Sequence, residues 1–174
     1  GKEKKLTLVG QADRTVTVPR PIERVVTLLP PVTRMMIGLG EADKLVGMGS
    51  SDHRYVEGGP SMGFGPKWDE VVGELKGLPN VGTLYDHNAE LVLSLKPKLV
   101  SGDAGSPEIV NKLRTETDIP VVGYLGSRGP TSAKGPVDNT LKQIELMGRV
   151  LGKEKRAEEL VSYFKKKLDK AEEE

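Results

Sequence analysis

Short apolar runs separated by stretches of helical spacing constrain this chain more than any other feature, because that alternation leaves few ways to build a core. Residues 24–29, Arg-Val-Val-Thr-Leu-Leu, are apolar almost without a break, the pattern of a strand covered on both faces. Pro30 and Pro31 follow, placing proline in the first turn of a helix. Val32, Met35, Met36 and Leu39 then recur at i, i+3, i+4 and i+7, and Gly40 ends the segment. Both methionines are read as core. The next short strand is Leu-Val-Gly-Met at residues 45–48.

The rhythm resumes at Asn88, which caps a helix running to Leu95, with Pro97 beyond its end. Residues 99–101 and 120–124 read as strands, and between them Ser106-Pro107-Glu108 opens a helix carrying Ile109, Val110 and Leu113. A long helix is expected from about residue 137 to 151 and another from Lys153 onward. Ahead of all this, residues 5–18 read as two alternating strands around a polar turn at 10–13. Residues 49–87 are rich in glycine and read as loop, apart from one short helix near residues 68–75.

Alternation of this kind predicts an α/β fold: a Rossmann-like parallel sheet with helices on both faces, preceded by a hairpin. In such sheets ligands bind beyond the carboxyl ends of the strands. The loops that matter are then 30–33, 49–56, 83–88, 102–106 and 125–136. The domain reading is one lobe over residues 1–152 and the start of a long helix over 153–174. In that helix Ala157, Leu160, Val161, Phe164, Leu168 and Ala171 make one apolar stripe. Acidic residues 172–174 oppose the helix dipole, so the helix is expected to continue in a longer protein; a frayed tail is the other reading.

Composition narrows the function. The chain has 174 residues, a formal net charge of +1 and no cysteine. Thiolate metal sites and cysteine nucleophiles are excluded, and neither overall charge nor the 4% aromatic content favours nucleic acid. His53 and His87 are the only histidines, so no metal site and no cofactor are expected. No apolar run approaches a membrane span and no leader is visible; for an exported protein the leader is expected to have been removed. No Gly-x-Ser-x-Gly elbow is present. Gly47-Met-Gly49 starts like a phosphate-cradling loop, but a third glycine and a clear helix after it are both missing.

The ordered set of segments resembles the N-terminal half of class III periplasmic binding proteins, which serve siderophores, heme and cobalamin. The resemblance rests on Val16-Thr-Val-Pro19, Arg24-Val-Val, Leu39-Gly-Glu-Ala-Asp-Lys-Leu-Val-Gly47 and Val81-Gly82. It rests further on residues 88–100, on Ile119-Pro-Val-Val122 and on residues 147–160. It implies two lobes joined by one long helix with the ligand between them, and a partner, the permease of an ABC importer. It also implies an extracytoplasmic location, with membrane contact only through the permease or a lipid anchor. By that resemblance Glu90 is the carboxylate that docks onto permease arginines; its physical alternative is a first-turn acid favoured by the helix dipole. Tyr85 lies two residues beyond the position where heme-binding relatives carry a tyrosine ligand.

The remaining ligand-contact candidates come from the strand-end rule. They are Pro31 after the first strand, Ser50, Ser51, Asp52, His53 and Arg54 after the second, Asp103 after the third and Arg128 in the last loop. A solvated turn is the plain alternative for residues 50–54, as is an exposed loop arginine for Arg128. The expected function is capture of a ferric siderophore or related metal chelate and delivery to an ABC permease, without catalysis. The alternative is a cytoplasmic α/β enzyme domain binding a nucleotide or cofactor in the same crevice. The isolated lobe is expected to self-associate through its last helix.

Overall fold

Valine and leucine at successive positions can be buried on both sides only inside a covered sheet. The computed structural model, which describes residues 4–9, 15–57, 68–103, 107–124 and 136–173, places them there. Strands β1 (Lys4–Val9) and β2 (Thr15–Arg20) form a separate antiparallel pair, with Leu6 opposite Val18. Strands β3 (Val25–Thr27), β4 (Leu45–Met48), β5 (Leu99–Asp103) and β6 (Val121–Tyr124) form a parallel sheet in the order β4-β3-β5-β6. The helices are α1 (Pro30–Gly38), α2 (Ser50–Glu57), α3 (Trp68–Lys76), α4 (Ala89–Ser94), α5 (Pro107–Thr117), α6 (Pro136–Leu151) and α7 (Glu154–Glu173).

Register decides which side chains share a face. Val25 stands opposite Leu45 and Leu99, and these three join a core cluster with Met36 of α1, Val56 of α2, Leu75 of α3, Met147 of α6 and Val161 of α7. Val26, Val100 and Val121 are paired across the other face and pack with Val92 of α4 and Val110 and Leu113 of α5. Helices therefore cover both faces, as the alternation predicts. Met35 and Met36 are buried as expected.

The order β4-β3-β5-β6 means that the chain leaves β3 in one direction and later returns to its other side at β5. The loops after β3 and β5 part there, at the switch point where the general rule for such sheets places a ligand crevice beyond the carboxyl ends of the strands. A further segment runs beside β4: Met48 bridges Asn80 in parallel, Val81 N–H donates to Met48 O at 2.9 Å, and Ser50 N–H donates to Gly82 O at 2.8 Å.

One expectation needs correction. Residues 50–57, expected as loop, form helix α2, starting one residue after Gly49. Only Asp52 and Val56 are buried along it, a pattern too sparse to register as an apolar stripe. The helix missing from the sequence pattern after Gly47-Met-Gly49 is this one. The expected cap at Ser106 and the loop over 126–135 lie outside the described residues.

Candidate functional site

The floor of the crevice is built from the first turns of α1 and α2 and the end of β3. Backbone donors are scarce on α1. Pro30 and Pro31 carry no N–H, and the N–H groups of Val32 and Thr33 both go to Leu29 O, at 3.1 and 3.3 Å. Pro31 therefore shapes the edge of the crevice without offering a main-chain donor. On α2, Gly49 N–H donates to Thr27 O at 2.9 Å and Ser50 N–H to Gly82 O. Gly49 has a steric reason to be glycine: a Cβ there would stand 3.1 Å from Asp52 Oδ2 and 3.2 Å from Gly82 O.

Asp52 lies at the centre of this floor with no exposed surface. Thr27 and Thr33 share a hydroxyl–hydroxyl hydrogen bond of 2.8 Å, and Thr33 Oγ1 donates to Asp52 Oδ1. One polar chain thus joins β3, α1 and α2. The N–H groups of Gly49 and of Asp52 itself favour the ionised carboxyl, yet neither aligns into a full hydrogen bond, and Oδ2 has no partner. An acid in a first helical turn gains about 0.3–1 kcal/mol from the dipole, whereas removing a carboxylate from water costs several kcal/mol. Burial prevails here and pushes the Asp52 carboxyl up to about 7, against Thr33 and the two N–H groups.

The neighbouring candidates face outward to different degrees. Ser50 Oγ donates to Asn80 Oδ1 at 3.0 Å, and Asn80 Oδ1 also accepts from Gly82 N–H at 2.9 Å. Arg54 is exposed and folds back, its guanidinium donating to Ser51 Oγ at 3.4 Å. His53 is half-buried and its Nε2 has no hydrogen-bond partner.

A tight turn raises Tyr85 beside this floor. Thr83 N–H donates to Asp86 O at 3.1 Å, Asp86 N–H to Thr83 Oγ1 at 2.9 Å, and Asn88 N–H to Val81 O at 2.8 Å. Gly82 makes the turn possible, because its φ of +95° and a Cβ position 2.5 Å from Asp86 O admit no side chain. Leu84 anchors the turn in the core and leaves Tyr85 61% exposed. The His87 side chain, buried beneath, sets its Nε2 2.8 Å from Glu116 of α5.

Asn88 caps α4 as expected, its Oδ1 accepting from Leu91 N–H at 3.0 Å. Glu90 stands exposed in the first turn of that helix. The backbone of Asp103 ends β5, paired with Tyr124. Arg128 lies outside the described residues. Ser50, Ser51, Asp52, His53 and Arg54 are thus brought together with the first turn of α1. Thr27, Thr33 and Asn80 complete the group unforeseen. A threonine on the buried face of a helix was the only visible signal, since Thr33, Met36 and Ile37 share that face. Among the described residues no three His, Cys, Asp or Glu side chains gather into a metal-binding group.

A parallel sheet covered on both faces, with a polar group of side chains at its strand ends, places the chain in the α/β class whose strand ends commonly carry ligand sites. A family model described as periplasmic binding protein matches residues 25–174, and the chain belongs to that family. The molybdate-binding protein MolA of Haemophilus influenzae is 28% identical over 166 residues, covering 88% of this chain and 45% of that protein. Its structure with molybdate superposes with a TM-score of 0.74 at 27% identity, over 90% of this chain and 49% of the other. The substrate-binding lipoprotein YvrC of Bacillus subtilis, named as an uncharacterized ABC transporter component, is 28% identical over 94% of this chain and 45% of its own length. Staphylococcus aureus SirA, solved with staphyloferrin B, gives a TM-score of 0.65 at 26% identity, over 94% of this chain and 48% of that one. The chain spans about half the length of the relatives it matches.

Proposed function

We propose that this chain is the N-terminal lobe of an extracytoplasmic solute-binding protein that captures an anionic metal chelate of the ferric-siderophore type and hands it to an ABC permease. The observation that carries this reading is the family match over residues 25–174, on a lobe whose polar crevice floor lies where such sheets bind ligands. Residues 153–174 then begin the helix that leads to a second lobe. The ligand contacts in this lobe are Pro31, Ser50, Ser51, His53, Arg54, Tyr85, Asp103 and Arg128, and Glu90 docks the permease. Membrane contact is indirect; among the described residues no helix is long and apolar enough to cross a bilayer. The relatives are binding proteins, which supports capture without catalysis over the enzyme reading.

Two details support a chelate. The doubled proline leaves α1 without free N–H groups for a small tetrahedral anion, and Tyr85 offers an exposed ring to a larger ligand. The likeness to MolA favours a second reading, a metal oxyanion such as molybdate.

Titrating the full-length protein with ferric staphyloferrin B, other ferric siderophores, heme, cobalamin and molybdate, followed by tryptophan fluorescence, separates these. Saturable binding of a ferric siderophore is the expected result. Binding of molybdate alone would replace the chelate by the oxyanion, and a folded protein that binds none would overturn the cargo assignment in favour of the enzyme domain binding a nucleotide or cofactor.

A further inference from the structure

Asp52 has no evident structural need to be acidic. It is fully buried, it accepts one hydroxyl hydrogen bond from Thr33, and its second oxygen has no partner. A buried carboxylate is stable when a cation or several donors face it. Among the described residues no cation faces this one. β4 carries no charged residue, α1 brings only the exposed Arg34, and the described charged side chains of α3, Glu74 and Lys76, are exposed. The turn after Gly82 brings Asp86, which is exposed, and His87, which is engaged with Glu116. On α2 itself, Arg54 turns to Ser51, Glu57 is exposed, and His53 and Tyr55 are the titratable rings. None of these charges perturbs the Asp52 carboxyl, which burial pushes up against its hydrogen bonds alone.

Complete burial with one hydroxyl partner and no facing cation favours the uncharged acid. As such, Asp52 closes a chain from Thr27 through Thr33 that ties three elements at the crevice floor. An ionised Asp52 would have to recruit water or a cation, and the first turns of α1 and α2 would have to part to admit it. A negative charge there would also offset the positive end of α2 beneath a bound anion.

Resting on the solute-binding reading above, we propose that Asp52 is a proton-carrying positioning residue: in its neutral form it locks the first turns of α1 and α2 onto β3, and the locked floor holds an anionic solute more tightly than the ionised one. The proton and the solute are then linked, each favouring the other.

The test uses full-length protein, wild type and D52N, between pH 6 and pH 8. Amide hydrogen exchange at residues 32–33 and 51–53, corrected for intrinsic rates, is expected to lose up to about tenfold in protection in wild type between pH 6 and pH 7 and to level off toward pH 8, because the open form has already released the proton that the closed form holds. It is expected to stay level in D52N, which cannot ionise. T33S should reproduce wild type, because it keeps the hydroxyl, and T33V should not. Should D52N fail to fold, the wild-type profile against T33S and T33V still decides. Equal protection at both pH values in wild type would overturn the neutral lock. Calorimetry with ferric staphyloferrin B and molybdate reads the linkage: whichever probe binds should weaken by about tenfold from pH 6 to pH 8 in wild type only. A bound probe with pH-independent affinity would overturn the linkage. A pH-dependent exchange pattern with neither probe bound would uphold the lock and count against those two solutes.

Discussion

A buried acid ties folding to pH at a single residue. Asp52 has a folded pKa of about 7 against 3.8 when unperturbed, so between these values the folded protein holds a proton that the unfolded chain has released. Stability from this group is complete below about pH 4, falls as pH rises toward about 7, and is flat above. The gap between the two values corresponds to a fall on the order of 4 kcal/mol. Chemical denaturation of wild type at intervals from pH 4.5 to pH 8 should show that fall, and D52N should lack it. The sign is opposite to that of an ordinary ion-paired aspartate, whose contribution is lost toward acid, so the direction alone separates the two.

At the scale of elements, α4 shows how a short helix is held in place by one cap. It has six residues, too few to be stable alone, and Asn88 satisfies its Leu91 N–H. Asn88→Ala should lower stability by about 1 kcal/mol, measured by urea unfolding. Glu90, exposed on the same turn, should separate folding from delivery: E90R is expected to lower stability by only about 1 kcal/mol, through the helix dipole, and to leave solute affinity unchanged while abolishing uptake through the permease in reconstituted vesicles. The same helix illustrates what could be read from sequence. Asn88 announced itself because a cap is a local device, and β3 to β6 did so because residues buried on both faces leave continuous apolar runs. Helix α2 did not: its two buried positions, Asp52 and Val56, include one acid. The pairing of Thr33 with Asp52 spans 19 residues and that of His87 with Glu116 spans 29, and no periodicity carries such contacts. Residues 50–54 were selected by a rule about strand ends, which finds the place but not which side chain turns inward.

Across the whole molecule, α7 is fastened at one end and open at the other. Lys153 and Lys44 both pair with buried Glu41, Arg156 donates to Gly38 O at 3.2 Å, and Glu154 pairs with Arg20. Ala157 and Val161 are buried against the lobe, and Gly148 of α6 allows close approach, since a Cβ there would stand 2.4 Å from that of Ala157. Beyond Val161 the stripe emerges: Phe164 is 42% exposed and Leu168 39%. Tyr163 is engaged from the side, edge-on to Phe164 and 4.8 Å from Lys167 Nζ. The magnitudes decide how strongly this stripe joins two copies of the 174-residue chain. Burying the rest of two such side chains contributes about 1 kcal/mol each, so a symmetric pair gains about 4 kcal/mol. Association costs an estimated 4–15 kcal/mol in lost freedom, and no surplus remains. With no net gain left, the isolated lobe should sediment as a monomer from about 10 μM into the millimolar range, since even a millimolar Kd needs about 4 kcal/mol of net binding energy. Replacing Phe164 and Leu168 by serine should leave that monomer unchanged and lower stability by about 1 kcal/mol or more each, because each gives up the part of its side chain that is already covered. Tight dimers at micromolar concentration that survive both substitutions would place the contact elsewhere on the surface.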